Sequence, residues 1–309
     1  MSYIANLMLR LAVGTENLPE ETRSRHAAYL AGAQNGDGGF AGRRGASDPY
    51  YTSFALRTLA MLGQLDDQPA RRAAGFLKDR LACGISGIDF ISLVIGAALL
   101  EGATGIDIFA DAGRDRRQTV LDFLARFRRP DGGFAKTERS GPSSTYQTFL
   151  AVACQQLVGA PLDDAAAMTA LIRARQREDG GFVELALMRQ SGTNPTAAAV
   201  GLLAMLGARD EPMRTAAAAF LRRMQTAEGG LRAHARIPVA DLLSTCTGLV
   251  ALNELGALAT IDLAGVRRFV ESLERPAGGF RAGTWDDAVD VEYTFYGLGT
   301  LALLCAPED

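Results

Sequence analysis

Phe220-Leu221-Arg222-Arg223-Met224-Gln225, continuing to Gly229-Gly230-Leu231, ends one helical pattern, turns on two glycines and leads into the next helical pattern at Asp241. The same frame stands at Tyr29-Leu30, Gln34, Gly38-Gly39-Phe40 and at Leu171-Ile172, Gln176, Gly180-Gly181-Phe182. Phe123-Leu124 with Gly132-Gly133-Phe134 and Phe269-Val270 with Gly278-Gly279-Phe280 repeat it without the glutamine. A degraded copy begins at Phe76-Leu77, with Gly84 and Gly87 near the expected pair. The opening residues are 29, 76, 123, 171, 220 and 269, steps of 47, 47, 48, 49 and 49. A period of that size marks a repeat architecture in which each unit buries its apolar face only against its neighbours.

Six such units fill nearly all of the 309 residues, so one repeat domain spanning 1–309 is expected. Hydrophobic residues at 48% are enough for a large core, and a net charge of -3 argues against a nucleic-acid partner. Cys83, Cys154, Cys246 and Cys305 show no paired spacing, which suits a reducing, cytoplasmic setting. Met1 to Val13 reads as a helix rather than a leader, and no membrane span is expected. The most apolar windows, Ile91–Leu100 and Thr196–Leu206, read as core helices.

Each unit has two helical halves. The first ends in basic residues, such as Arg173, Arg175 and Arg177 or Arg222 and Arg223, which suit the negative end of the helix dipole and read as a solvated helix end. The second, as in Thr196-Ala-Ala-Ala-Val-Gly-Leu-Leu-Ala-Met-Leu206, is apolar nearly all round and belongs in an interior. The expectation is an all-α fold, an (α/α)6 barrel of six helical hairpins with outer and inner rings. Thr52, Thr148, Thr196, Thr245 and Thr294 align near the starts of the inner helices. Four residues ahead stand Asp48, Ser144, Gly192, Asp241 and Asp290, positions that suit helix caps. Asp48-Pro49 and Asn194-Pro195 have the form of a cap followed by proline, and Asn17 with Glu20 has the form of a capping box. The connection from Gly102 to Arg117 reads as a mobile loop.

The inner-helix starts gather the polar aromatics: Tyr50, Tyr51, Phe54, Tyr146, Phe149, Trp285, Tyr293, Phe295 and Tyr296. Such residues could line a hydrocarbon site or stabilise a carbocation over their ring faces. The loops after Gly-Gly carry Arg43, Arg44, Lys136, Arg139, Arg232, Arg236 and Arg281, candidates for holding a diphosphate or plain surface charge. His234 lies in one of these loops, and His26 lies on an outer helix with no evident role.

The repeated aromatic-Leu-x3-Gln-x3-Gly-Gly-Phe frame, followed by a Thr-containing apolar helix, resembles the prenyltransferase/squalene-cyclase toroid superfamily over residues 20–305. Asp48-Pro-Tyr-Tyr-Thr-Ser-Phe-Ala-Leu and Asp290-Val-Glu-Tyr-Thr-Phe-Tyr-Gly-Leu look most like the β subunit of protein prenyltransferases. That resemblance implies an isoprenoid or its diphosphate in the cavity, a zinc-activated acceptor thiolate and a helical α subunit or acceptor protein outside. The family's zinc ligands fall on Asp241, Leu243 and Tyr293, so only Asp241 could serve as a metal residue and zinc is not expected. Mg²⁺ with a diphosphate at Asp286-Asp287 remains open. In the cyclase branch, the proton-donating motif falls on Gly192-Thr193-Asn194-Pro195, where Asn194 replaces the acid.

The leading expectation is a prenyltransferase-like protein with Asp241, Tyr293 and Asp290 as catalytic candidates. Tyr50, Tyr146, Arg232, Arg236, Trp285 and Glu292 are then the substrate-binding candidates. The alternatives are a non-catalytic toroid acting as lipid-binding or interaction scaffold, and a terpene-cyclase-like or other enzyme using Asp241, Asp290 and Glu292 as acids or bases.

Overall fold

A computed structural model describes residues 1–65, 67–85, 87–138 and 140–306; Arg139 lies outside the described residues. Fourteen α-helices are assigned among the described residues. The chain forms two compact units, one of residues 1–120 with 273–309, the other of residues 121–272.

In the first unit, α1 (Tyr3–Glu16) precedes the outer helices α2 (Glu20–Ala33) and α4 (Asp67–Cys83) and the inner helices α3 (Pro49–Met61) and α5 (Gly87–Thr104). The one-turn α6 (Ile108–Asp111) and the start of α7 (Arg116–Ala125) follow. The returning chain adds a hairpin, Phe280–Arg281 with Val289–Asp290, and the inner helix α14 (Val291–Leu303). α3 packs against α5 and α14, and α1 packs against α14 and α3. In the second unit the inner helices α8 (Thr145–Leu157), α10 (Thr193–Met205) and α12 (Leu242–Glu254) lie side by side. Their outer partners are α9 (Ala165–Arg173), α11 (Glu211–Arg222) and α13 (Leu263–Leu273). The inner helices carry the cores of both units, as their all-round apolar pattern demands.

The repeat frame has a physical reading. The first glycine of each pair has φ of +84° to +97° at Gly38, Gly132, Gly180, Gly229 and Gly278, a region closed to most side chains. A Cβ on Gly180 would also collide with the carbonyl of Ala216 on the next outer helix, so the turn seats directly on its neighbour. The frame glutamines fasten the same turn. Gln34 Nε2 donates to Gly38 O (2.9 Å) and to Pro69 O on α4 (3.0 Å), and Gln225 Nε2 donates to Gly229 O (2.8 Å) and Asp262 O (2.9 Å).

The aligned threonines complete the unit. The backbone N–H of Phe40, Phe134, Phe182 and Leu231 donates to Oγ1 of Thr52, Thr148, Thr196 and Thr245, at 2.9–3.0 Å. Each of these hydroxyls, and that of Thr294, donates in turn to the carbonyl of the cap residue four positions earlier, at 2.6–2.7 Å. All five threonines are 0% exposed. The expected caps hold: Asp48, Ser144, Asp241 and Asp290 accept from backbone N–H groups of the first helical turn, and Gly192 occupies the cap position of α10.

Five readings change. Asn17 ends α1 and donates to Cys305 O (3.0 Å), while α2 starts after Pro19 without a side-chain cap. Asn194 lies inside α10, and its Oδ1 accepts from Thr247 on α12 (2.7 Å). The Gly102–Arg117 connection is anchored by α6, whose Phe109 is fully buried. Arg175 is 1% exposed rather than solvated, because it donates to Ser143, Thr145 Oγ1 (3.0 Å) and Glu184 O (3.1 Å) between two loops. His26 is fully buried. In the last repeat Ala277 stands where Asp37, Asp131 and Asp179 accept from the second glycine of their turns, and His26 Nδ1 accepts from Gly279 N instead (3.0 Å). His26 also stacks on Phe280 and pairs with Glu274. The first and last repeats are therefore neighbours within the first unit. α5 is the one described helix long and apolar enough to cross a membrane, and half of that stretch is buried inside the unit.

Thr245→Val should leave Leu231 N and Asp241 O without their shared partner and lower stability by about 1–3 kcal/mol in denaturant unfolding. An unchanged midpoint would contradict the clamp. Tyr29 packs over Gly278 and Gly279, and burial, its largest influence, pushes its phenol up to about 12. Its neutral form therefore favours the folded state, a contribution complete below the ordinary phenol range and lost as pH rises through about 12. Ultraviolet titration should show a late phenolate transition that Tyr29→Phe removes; identical titration curves would contradict this.

Candidate functional site

The N-terminal ends of α3 and α14 meet in the first unit, and equivalent repeat positions meet there. Two residues after the caps Asp48 and Asp290 stand Tyr50 and Glu292, and the Tyr50 hydroxyl donates to Glu292 Oε1 (2.7 Å). Tyr296, one turn on, donates to the same oxygen at 3.4 Å. Around them Phe54 contacts Tyr50, Phe295 and Tyr296 with ring centroids 5.1–5.5 Å apart, and Tyr293 lies 6.1 Å from Tyr296. The Arg57 guanidinium sits over Phe54 (4.6 Å) and Phe295 (5.7 Å). Burial, more than any other influence, raises the Glu292 pKa; the tyrosine bonds and Arg57 offset part of that, and Asp290 adds to it.

The loops entering these helices are held by one arginine. Arg43 Nε donates to Asp290 (3.1 Å), its Nη2 donates to Asp286, and its guanidinium lies 5.6 Å from the centre of the Tyr293 ring. Asp290 is nevertheless raised, because burial outweighs its bonds to Tyr293 N and Arg43. Asp286 is lowered: burial, its largest single influence, raises it, but Ala288 N and Arg43 together outweigh that. Asp287 faces Arg275 and Arg281. The acidic pair is thus engaged by arginines.

Of the residues expected at the site, Tyr50, Asp290, Glu292 and Tyr293 converge here. Trp285 is in the loop before α14 but is 61% exposed. Tyr146, Arg232, Arg236 and Asp241 belong to the second unit. Asp241 caps α12 by accepting from Ser244 N (2.7 Å), and burial raises its pKa. Leu243, at the resemblance's cysteine position, follows it in α12. Tyr146 stacks on Phe149 (6.5 Å), Arg232 donates to Arg223 O (3.2 Å), and Arg236 is exposed beside His234. No group of three or more His, Cys, Asp or Glu that could hold a metal ion occurs among the described residues. Of the cationic partners, Arg43 was read from sequence as a diphosphate candidate or plain surface charge and instead pairs with Asp286 and Asp290, and Arg57 was not singled out. Arg57 did leave a signal, as a lone cation in the apolar pattern of α3.

Residues 2–87 and 199–308 match the prenyltransferase alpha-alpha toroid domain, and the chain belongs to that family. Comparison with curated proteins finds no match. Among solved structures it is similar to Candida albicans protein geranylgeranyltransferase-I complexed with GGPP (14% identity, TM-score 0.69, covering 96% of this chain and 90% of that one). It is also similar to a variant of the type II terpene cyclase MstE from Scytonema in complex with geranylgeranyl dihydroxybenzoate (16%, TM-score 0.62, 99% of each chain). A structure described as a glycosidase shares the fold as well (15%, TM-score 0.53, 96% of each chain). At these identities the likeness establishes the α/α toroid fold.

A carboxylate whose folded pKa is raised stabilises the fold most when protonated. Glu292 therefore contributes most below the ordinary glutamate range and loses that contribution as pH rises through its raised value. Relative to Glu292→Gln, the wild-type melting temperature should fall as pH rises from about 4 towards neutrality. A difference that stays flat over that range would contradict the partly desolvated setting of Glu292.

Proposed function

We propose that the protein binds a linear isoprenoid against the aromatic wall of α3 and α14, and that Glu292 is the group that reacts with it. The observation carrying this reading is a half-buried carboxylate held by two tyrosine hydroxyls and ringed by Tyr50, Phe54, Phe295 and Tyr296. A raised pKa keeps a larger fraction of the acid form near neutral pH than an ordinary glutamate would. The acid delivers its proton to a substrate alkene: the O–H bond breaks, the π pair forms the new C–H bond, and a carbocation remains on the neighbouring carbon. The Tyr50 and Tyr296 hydroxyls stabilise the carboxylate left behind, and the aromatic faces stabilise the cation. Attack by a second alkene forms a carbon–carbon bond and moves the positive charge to a new carbon, and loss of a C–H proton to solvent, from the first or the later cation, forms an alkene and ends the sequence.

Transfer of a prenyl group from a diphosphate is the other reading, supported by the likeness to the geranylgeranyltransferase bound to GGPP. The acidic surroundings of α14 favour it less, because Arg43 is already shared by two aspartates.

Geranylgeraniol should bind the wild type, and Tyr50→Ala with Phe295→Ala should weaken it about 10-fold through lost aromatic contact. In D2O the wild type should place carbon-bound deuterium in recovered isoprenoid, with a rate that falls as pH rises through the raised Glu292 pKa, and Glu292→Gln should abolish it. Undiminished exchange by Glu292→Gln would overturn the acid role. Geranylgeranyl diphosphate bound far more tightly than the alcohol, with diphosphate released, would favour prenyl transfer.

A further inference from the structure

In the second unit the loops that enter α8, α10 and α12 lie side by side at one end. Thr145 N donates to Glu184 O (3.0 Å), Thr193 N donates to Ala233 O (2.8 Å), and Gln190 Nε2 meets His234 Nδ1 (2.7 Å). This end presents apolar side chains to solvent: Leu187 is 96% exposed, Met188 44% and Val239 37%. Leu187 is held out by its own backbone. The Arg177 guanidinium donates to Ala186 O (2.8 Å) and Met188 O (3.0 Å), fixing the chain on both sides of it. Arg129 fastens the neighbouring loop in the same way, through Gly141 O (3.1 Å) and Ser140 O (3.1 Å).

The charge at this end has one prevailing sign. Lys136, Arg189 and Arg236 are exposed, and among the described residues they form no ion pair. Most acids nearby are engaged: Glu138 pairs with Arg126, Asp179 accepts from Gly181 N and Ser191, Glu184 accepts from Ser144 and Tyr146 N (3.3 Å), Glu228 accepts from Ala240 N and Asp241 caps its helix, while Glu178 is exposed in the Arg177 turn. Exposed aliphatic tips among unpaired cations match an anionic lipid surface, where the tips enter the acyl boundary and the cations meet headgroup charge. A water-facing surface would gain nothing from a leucine clamped in the open.

We propose that this end of the second unit docks onto anionic membrane surface. The inference goes beyond isoprenoid chemistry, and its test contains no isoprenoid, so either can fail without the other. The experiment is flotation of the full chain with vesicles of phosphatidylcholine alone, or of equal parts phosphatidylcholine and phosphatidylglycerol. The wild type should float with the anionic vesicles, less so at high salt, and not with the neutral ones. Leu187→Glu with Met188→Glu should reduce anionic-vesicle affinity at least about 10-fold, and so should Arg189→Glu with Arg236→Glu. These residues are exposed, so circular dichroism melting should match the wild type. Failure of the wild type to float, equal flotation with neutral vesicles, or undiminished flotation of both folded variants would overturn the proposal. Failure of the wild type to float would point instead to a protein partner for this end.

Discussion

A buried threonine hydroxyl that accepts from the residue after a Gly-Gly turn, and donates to the carbonyl capping the next helix, organises each regular repeat. It gives the buried N–H after the turn an acceptor and adds a second bond to the cap C=O, which also accepts from the helix backbone. It also sets where the inner helix begins relative to the turn. Because the turn glycine seats on the next outer helix, the same bond passes the register of one hairpin to its neighbour. In the last repeat Thr294 keeps the bond to the cap carbonyl, and His26 takes over the aspartate's role of accepting from the second turn glycine.

The register places chemistry as well as backbone. Two inner helices started by the same device bring equivalent positions together, so Tyr50 of one repeat meets Glu292 of another. The cap aspartates are thereby committed to structure. Asp48, Asp241 and Asp290 each hold backbone N–H groups, and Asp290 also shares Arg43 with Asp286. Glu292, two residues beyond its cap, accepts from the Tyr50 and Tyr296 hydroxyls instead, and in the proposed function it is the acid that reacts.

The fold was legible because its causes are local. Gly-Gly, the frame glutamine, the cap and the threonine recur at fixed spacing, and each acts within its own repeat or on the next. The site was legible in part. The aromatic list and the acids Asp290 and Glu292 could be read from their positions in the repeat. What distinguishes Glu292 from Asp290 is contact with Tyr50 and Tyr296, and the pairing of Arg43 with Asp286 and Asp290 joins residues far apart in the chain. Periodicity carries no information about such pairings. Arg175 misled for the same reason: its charge pattern matches a solvated helix end, and only the approach of Ser143 and Glu184 makes it an interior residue.

The central claim is that this register builds an isoprenoid site from the first turns of α3 and α14. A diazirine-bearing geranylgeraniol analogue, photolysed on the protein and mapped by mass spectrometry, tests it most directly. Labelling should fall on residues 49–61 and 291–303 and be displaced by unmodified geranylgeraniol. Displaceable labelling confined to other segments, or no displaceable labelling at all, would contradict it.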